Sequence, residues 1–336
     1  MAKTARELRV GVVGLGVRGQ HGYYYGLAKE PGVRITRMAT HPECSPVLLE
    51  GRGEAYGRGE ARKFKAAFST DPTDVIEADD VDIVVVLVEP SLAFGVIRRC
   101  AESGKHILRD KPMVLTDDQA DKVVEIVDRT GVKMMVTWGA YRFAPTAPGL
   151  KAKLDGGAVG DIAVMNLVSP WGGGPLAGFT CSKAHHERYG GGEVHNFGGY
   201  ALTLMRWLLG AAHRVRRVWA QMGAHFYPDY KAAGNEDLAT IAFGFDGGVV
   251  GNLVTGRLPK ACGSITELSV TGTQGVLRTR RLGGGGVGDV SADFIRAIRE
   301  DRPPAIDHHD GRAVHRALLA AYESARTGKV VELPPL

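Results

Sequence analysis

Three polar side chains, Asn196, Tyr200 and Thr203, stand at i, i+4 and i+7 in the stretch GGGEVHNFGGYALTLMRWLLG, residues 190–210. That spacing lines them up on one face of a helix. Val194, Phe197, Leu202, Leu204, Met205, Leu208 and Leu209 supply its buried side. A neutral amide both donates and accepts, so Asn196 can hold a substrate hydroxyl, and a phenol can pass a proton. None of the three is a strong acid, base or metal ligand, and Thr203 is too short for more than a supporting contact.

A second chemical signal lies near the N-terminus. GVVGLGVRG contains Gly14-x-Gly16-x-x-Gly19 in a chain with 46 glycines, where the bare pattern is weak. Its position strengthens it, because it follows a predicted strand, Leu8 to Val13, and opens a predicted helix. Backbone N–H groups and the helix dipole would there hold a pyrophosphate, with Gly14, Gly16, Val17, Arg18 and Gly19 as the cofactor contacts. The next strand ends RITRMATHPE, which puts Thr40 and His41 where an NAD-binding chain carries an acid for the ribose. Glu43 lies too far along, after Pro42. Without an acid, a 2′-phosphate meets no repulsion and Thr40, His41 or Arg18 can donate to it, so NADP is expected ahead of NAD.

The elements around these residues fall into two kinds. Residues 1–136 alternate strand and helix: Val33 to Ala39, the apolar run from Val81 to Val88, and His106 to Leu108 are strands. Ser91 to Ser103 and TDDQADKVVEIVDRTG are helices, and Val132 to Thr137 closes the series. Thr116 caps the second of those helices, with acids in its first turn and glycine at its end. A near-continuous apolar strand suits a parallel sheet buried on both faces, so the first domain reads as a doubly wound α/β Rossmann unit. Residues 137–336 carry strand-like pieces separated by glycine, at 161–169, 215–222, 238–245, 248–255 and 265–271, with helices at 146–155, 192–209, 290–300 and 311–327. Few helices intervene between those strands, so the second domain reads as α+β on a mostly antiparallel sheet.

Composition narrows the function classes. A length of 336 residues suits two domains, and 44% hydrophobic with 24% charged residues is ordinary for a globular protein. The net charge of +5 is dispersed in doublets such as Arg98-Arg99, Arg216-Arg217 and Arg280-Arg281, which speaks against nucleic acid or an anionic membrane as partner. Four scattered cysteines and an N-terminus that runs directly into a strand point to the cytoplasm.

ESGKHILRDKPMVLT, GVKMMVTWGAYRFAP followed by LDGGAVGDI, the 190–210 segment and YESARTGKVVELP together resemble the glucose–fructose oxidoreductase/inositol dehydrogenase (Gfo/Idh/MocA) family nearly end to end. The resemblance implies a Rossmann domain, a substrate domain with a large open sheet, dimers or tetramers built on that sheet, and NAD(P)-dependent hydride transfer to or from a sugar, cyclitol or nucleotide-sugar. It implies that Asp110-Lys111-Pro112 stands for the family's Glu-Lys-Pro, with Lys111 catalytic, and that Glu89 and Pro90, with Asp110 and Lys111, contact the cofactor. Family members usually carry Asp, His and another acid at the positions of Asn196, Tyr200 and Thr203, and a common histidine is here Phe94. Related oxidoreductases with tyrosine at this helix position suggest that the phenol of Tyr200 replaces the imidazole as proton donor.

Further residues have two readings each. Trp138, Arg142 and Trp171 are candidate walls of a sugar pocket or plain packing, and His186 is a candidate substrate contact. His185, His186 and Glu187 do not read as a metal site, because adjacent residues of a regular element cannot aim at one ion, and the family needs no metal. His195 is expected to point away from the Tyr200 face. His308-His309-Asp310 read as a solvated helix cap. Two other functions fit the same residues: a redox-neutral enzyme holding its nicotinamide tightly for glycoside cleavage or epimerisation, and a catalytically retired nucleotide-binding regulator.

Overall fold

The computed structural model describes residues 6–15, 21–49, 52–176 and 181–334. Two compact units divide the chain: Met1–Thr137 with Val287–Arg312, and Trp138–Gly286 with Ala313–Leu336.

In the first unit six strands form one parallel sheet: β1 (Leu8–Val13), β2 (Val33–Ala39), β3 (Ala67–Ser69), β4 (Ile83–Val86), β5 (His106–Arg109) and β6 (Met134–Val136). Their order is β3-β2-β1-β4-β5-β6, with the direction of winding reversing between β1 and β4. The apolar run behaves as expected, every residue of β4 being buried because helices cover both faces. Those helices are α1 (His21–Leu27), α2 (Pro46–Leu49), α3 (Glu54–Phe64), α4 (Thr73–Ile76), α5 (Pro90–Glu102) and α6 (Asp117–Thr130). Thr116 caps α6 through a capping box with Gln119, and Gly131 ends it in the left-handed conformation at φ 69°. Only α1, α5 and α6 are legible as helices; α2 and α4 span four residues each, too few to show a period.

The second unit contains α7 (Ala147–Asp155), β7 (Ile162–Val168), α8 (Lys183–Tyr189), α9 (Gly199–Leu209), β8 (Val215–Gly223), α10 (Pro228–Ala233), β9 (Leu238–Phe245), β10 (Val250–Gly256), β11 (Glu267–Gly272), β12 (Gly275–Thr279) and β13 (Val331–Glu332). Its sheet runs β12-β11-β7-β10-β9-β8-β13 and is antiparallel except where β10 pairs with β7. Ala239, Ile241, Phe243 and Phe245 of β9 alternate to the buried face, while Trp219 of β8 and Val250 of β10 are exposed.

Two expectations change. The helix expected over 192–209 opens as a π turn at Val194–Gly198 before continuing as α9. The segment 287–312, which the sequence reading places in the second domain, packs with the first unit. Its helix α11 (Val287–Arg299) lies on α1, where Ser291 Oγ donates to the carbonyl of Tyr23 at 3.1 Å. Gly26 allows that approach, since a Cβ there would stand 2.5 Å from the Ser291 hydroxyl. The last helix, α12 (His308–Thr327), starts in the first unit and ends in the second.

Candidate active site

The dinucleotide half is built where β1 ends. Gly14 adopts φ +92°, and a Cβ there would sit 2.5 Å from the backbone nitrogen of Val88, at the end of the neighbouring β4 strand. Only glycine fits both the conformation and the space. Its N–H and that of Leu15 donate to the carbonyl of Ala39 at 3.0 and 3.2 Å, tying the turn to the end of β2. This is the crevice at the switch in strand order where open α/β sheets take dinucleotides, so Gly14 and its surroundings fit the cofactor. Gly16, Val17, Arg18 and Gly19 lie outside the described residues.

Beyond β2, Thr40 and His41 are both half-buried. The backbone N–H of Glu43 donates to His41 Nδ1 at 3.2 Å. Burial lowers the pKa of His41 below its usual 6.5, against the pull of Glu43 and Asp71. The free protein therefore presents a neutral imidazole whose proton, with Nδ1 accepting, belongs on Nε2 as a donor.

Glu89 and Pro90 form the start of α5, as N-cap and first helical residue. The Glu89 carboxylate is fully buried and accepts the N–H of Ser45 at 3.3 Å and the hydroxyl of Ser91 at 3.4 Å. After β5 comes Asp110-Lys111-Pro112. Asp110 is buried, and its Oδ1 accepts the Thr137 hydroxyl at 2.9 Å, while Thr137 Oγ1 accepts the Lys111 N–H at 3.3 Å. Burial pushes the Asp110 carboxyl up, and the charges of Lys111 and Arg109 act against that. Asp110 thus fixes the backbone from which half-buried Lys111 projects. Arg109, which sequence reasoning missed, is also buried and braces the ends of β4 and β5 through the carbonyls of Val86, Val88 and Met113.

The substrate half is built around the Gly-rich entry to α9. Gly190 caps α8 in the left-handed conformation. A Cβ on Gly191 would meet the Tyr322 phenol at 2.3 Å, and one on Gly192 the backbone oxygen of Glu236 at 2.4 Å. The glycines therefore admit Glu236, whose buried carboxylate accepts the N–H groups of Gly192 and Val194 at 3.0 and 2.8 Å and the Tyr322 hydroxyl at 2.7 Å. It satisfies donors that a helix start leaves over.

Asn196 and Tyr200 are half-buried neighbours along this helix, whereas Thr203 is 4% exposed and buried in the packing. Asn196 Nδ2 donates to Glu193 Oε2 at 2.9 Å. Glu193 is itself fully buried and paired with buried Arg257, at 2.7 Å from Nε to Oε1, and it accepts the Tyr230 hydroxyl. Gly256, just before Arg257, has φ +142°, and a Cβ there would stand 2.2 Å from the Asp237 carbonyl oxygen, which accepts the Arg257 N–H at 2.6 Å. Nothing in the sequence links Glu193 to Arg257, 64 residues on. The Tyr200 ring packs edge-on to Tyr141 with centroids 6.2 Å apart, and burial pushes the Tyr141 phenol up.

The other expected pocket residues separate. Trp171 is 41% exposed, lies 5.7 Å from the Phe197 ring and covers the Arg257 guanidinium at 4.6 Å, leaving an aromatic face open. Trp138 is fully buried under the helix, close against Gly199, and serves packing rather than an open wall. Arg142 stacks on Trp207 at 5.4 Å. Exposed His186 pairs through Nδ1 with Asn235 Oδ1 at 2.9 Å, while buried His185 stacks on Tyr189, so the two imidazoles diverge. His195 packs against His315 and Tyr322, with ring centroids 6.1 and 4.7 Å away.

Comparison with known proteins adds to this geometry. The model of an oxidoreductase family with an NAD-binding Rossmann fold matches residues 8–138, and the GFO/IDH/MocA C-terminal domain matches residues 149–278. The scyllo-inositol 2-dehydrogenase (NAD(+)) of Bacillus subtilis is 25% identical, over 97% of this chain and 96% of its own. A D-xylose 1-dehydrogenase (NADP(+)) of Haloferax volcanii is 24% identical, over 92% and 99%. Among solved structures, GenD2 from gentamicin A biosynthesis, in complex with NAD, superposes with a TM-score of 0.82 at 24% identity over 99% of this chain and 98% of that one.

Proposed function

The chain belongs to the GFO/IDH/MocA oxidoreductase family, and on that footing we propose that it transfers a hydride between a nicotinamide dinucleotide and a hydroxyl-bearing carbon of a cyclitol or sugar. The nicotinamide, when bound, supplies or accepts the hydride. The residues of the chain do the rest. Lys111 stabilises the negative charge that develops on the substrate oxygen, as a cation at a developing oxyanion does. Tyr200 gives that oxygen its proton in reduction and takes it in oxidation; a phenol of ordinary pKa ~10 is protonated at neutral pH and ready to donate. Asn196, its amide oriented by Glu193, holds a neighbouring hydroxyl, and Trp171 offers an apolar face to a ring.

One observation carries this reading above the others: Tyr200 and Asn196 are the half-buried polar side chains of a helix whose entry is engineered by three glycines and a buried carboxylate. Tyr200→Phe keeps the ring and removes the hydroxyl; it is expected to lower kcat by roughly 10²–10⁴-fold with nucleotide affinity unchanged. Lys111→Ala is expected to lower kcat steeply in a folded protein that still binds nucleotide. Retention of half the activity in Tyr200→Phe, with loss in His186→Ala or His195→Ala, would give the proton to a histidine instead.

NADP is the expected partner over NAD, because Thr40 and a donor Nε2 on His41 stand where an acid would select the free ribose. An open sheet face carrying Trp219 and Val250 supports a homodimer or homotetramer. Four cysteines, none in a disulfide, fit a reducing compartment such as the cytoplasm, and no described helix is long and apolar enough to cross a membrane.

A further inference from the structure

The sequence reads His308-His309-Asp310 as a solvated cap, but the structure gives these imidazoles a partner 180 residues away. His308 Nε2 lies 2.8 Å and His309 Nε2 3.1 Å from the same oxygen, Oδ1 of Asp128. All three donor atoms fall within 4.8 Å of one another, and among the described residues this is the single group of His, Cys, Asp and Glu that does so. We propose that Asp128, His308 and His309 form a binding site for a divalent transition ion of the zinc type, joining the end of α6 to the start of α12 within the first unit.

The geometry meets what such an ion needs. Tetrahedral zinc, with ligands at about 2.0–2.2 Å, spaces them roughly 3.3–3.5 Å apart, so the carboxylate oxygen at 2.8 and 3.1 Å from the two nitrogens needs only to open slightly, with the two nitrogens within 4.8 Å of each other. Two imidazoles and one carboxylate suit zinc, nickel or copper rather than magnesium or calcium, and the fourth position is left to water. Adjacent residues inside a regular helix diverge, as His185 and His186 do. His308 is instead the first residue of α12, where the chain is still entering the helix, and both rings turn to one side with centroids 4.3 Å apart.

An ion pair braces the seam that carries the site. Asp121 and Asp128 stand seven residues apart on α6, and His308 and Arg312 four apart on α12. Arg312 Nε binds Asp121 Oδ1 at 2.6 Å, one helical stretch from the histidines. The His308 side chain is 13% exposed and held in place, whereas that of His309 is 59% exposed and can adjust. Asp128 also sits in the last turn of α6, where the helix dipole favours a cation. His308 Nδ1 has no hydrogen-bond partner among the described residues. An acceptor behind a ligand imidazole is commonly worth ~10–100-fold in affinity, so this site binds more weakly than one whose imidazoles are all braced.

The test is calorimetric titration of untagged, chelator-stripped full-length protein with zinc chloride, alongside His309→Ala, Asp128→Asn and, as a control for exposed thiol, Cys262→Ser. One equivalent of zinc is expected to bind in the wild type and in Cys262→Ser, and to weaken by about tenfold or more in His309→Ala and Asp128→Asn. Zinc should also raise the Tm of the wild type and not that of His309→Ala. His309 is exposed and its loss leaves the fold intact, so a null result is interpretable. Absence of a saturable equivalent in the wild type, or affinity unchanged in both ligand variants, would overturn the proposal.

Discussion

Single residues decide the chemistry, and they were legible to different degrees. Asn196 and Tyr200 were readable because a helical period places them together, and both keep some exposure. Thr203 fits the same period but is buried, since periodicity gives a face and not the depth of what covers it. Glu193 and Arg257 were not readable: a buried ion pair between a helix entry and a strand end leaves no pattern in the chain. His41 yields a pH prediction. Burial lowers its pKa from 6.5, so it is neutral at neutral pH and gains a proton only as pH falls below that value. On the proposed placing of His41 beside the ribose, the added charge favours a 2′-phosphate and leaves a free 2′-hydroxyl nearly unaffected. A phosphate monoester takes up a proton in the same range, so the reading is a difference: below pH 6.5 the ratio of NADP to NAD affinity should be severalfold higher in the wild type than in His41→Asn, and the two should converge above neutral pH; calorimetry with both nucleotides across pH reads it.

At the scale of elements, the entry to α9 shows how much a single segment depends on partners distant in the chain. The three glycines announced a special conformation, but only the fold shows that they make room for Tyr322 and Glu236. Glu236→Ala takes the acceptor from the Val194 N–H and the Tyr322 hydroxyl, while the Gly192 N–H keeps the Tyr322 oxygen at 3.1 Å, and should cost about 1–3 kcal/mol of stability, read as a lower Tm in thermal unfolding. The Glu193–Arg257 pair makes a sharper prediction. Removing one charge strands the other in a buried site, so Glu193→Met alone should cost about 3–5 kcal/mol. The double variant Glu193→Met with Arg257→Met should recover much of that loss. Denaturant melts of the single and double variants measure the difference, and equal loss in both would show that the pair is not acting as one unit. The short helices α8 and α10, of seven and six residues, are too short for a period, and unlike α1, also of seven residues, they follow no glycine motif that marks a helix start.

Across the whole molecule, the strand order of the first unit follows from alternating strands and helices, and right-handed crossovers leave few other ways to arrange them. The return of 287–312 to that unit did not follow, because a helix with one apolar face does not say which sheet it covers; Gly26 and Ser291 settle it at close range. Hydride transfer is the activity proposed for the whole chain. The direct measurement uses the wild-type protein with NAD and NADP and a panel of inositols and aldoses carrying deuterium on each candidate carbinol carbon. Reduced nicotinamide should form with at least one cyclitol or sugar, and the deuterium should move from that carbon to the nicotinamide ring. Nucleotide binding without turnover on any of them, or a reduced nicotinamide that carries no deuterium from the oxidised carbon, would contradict it.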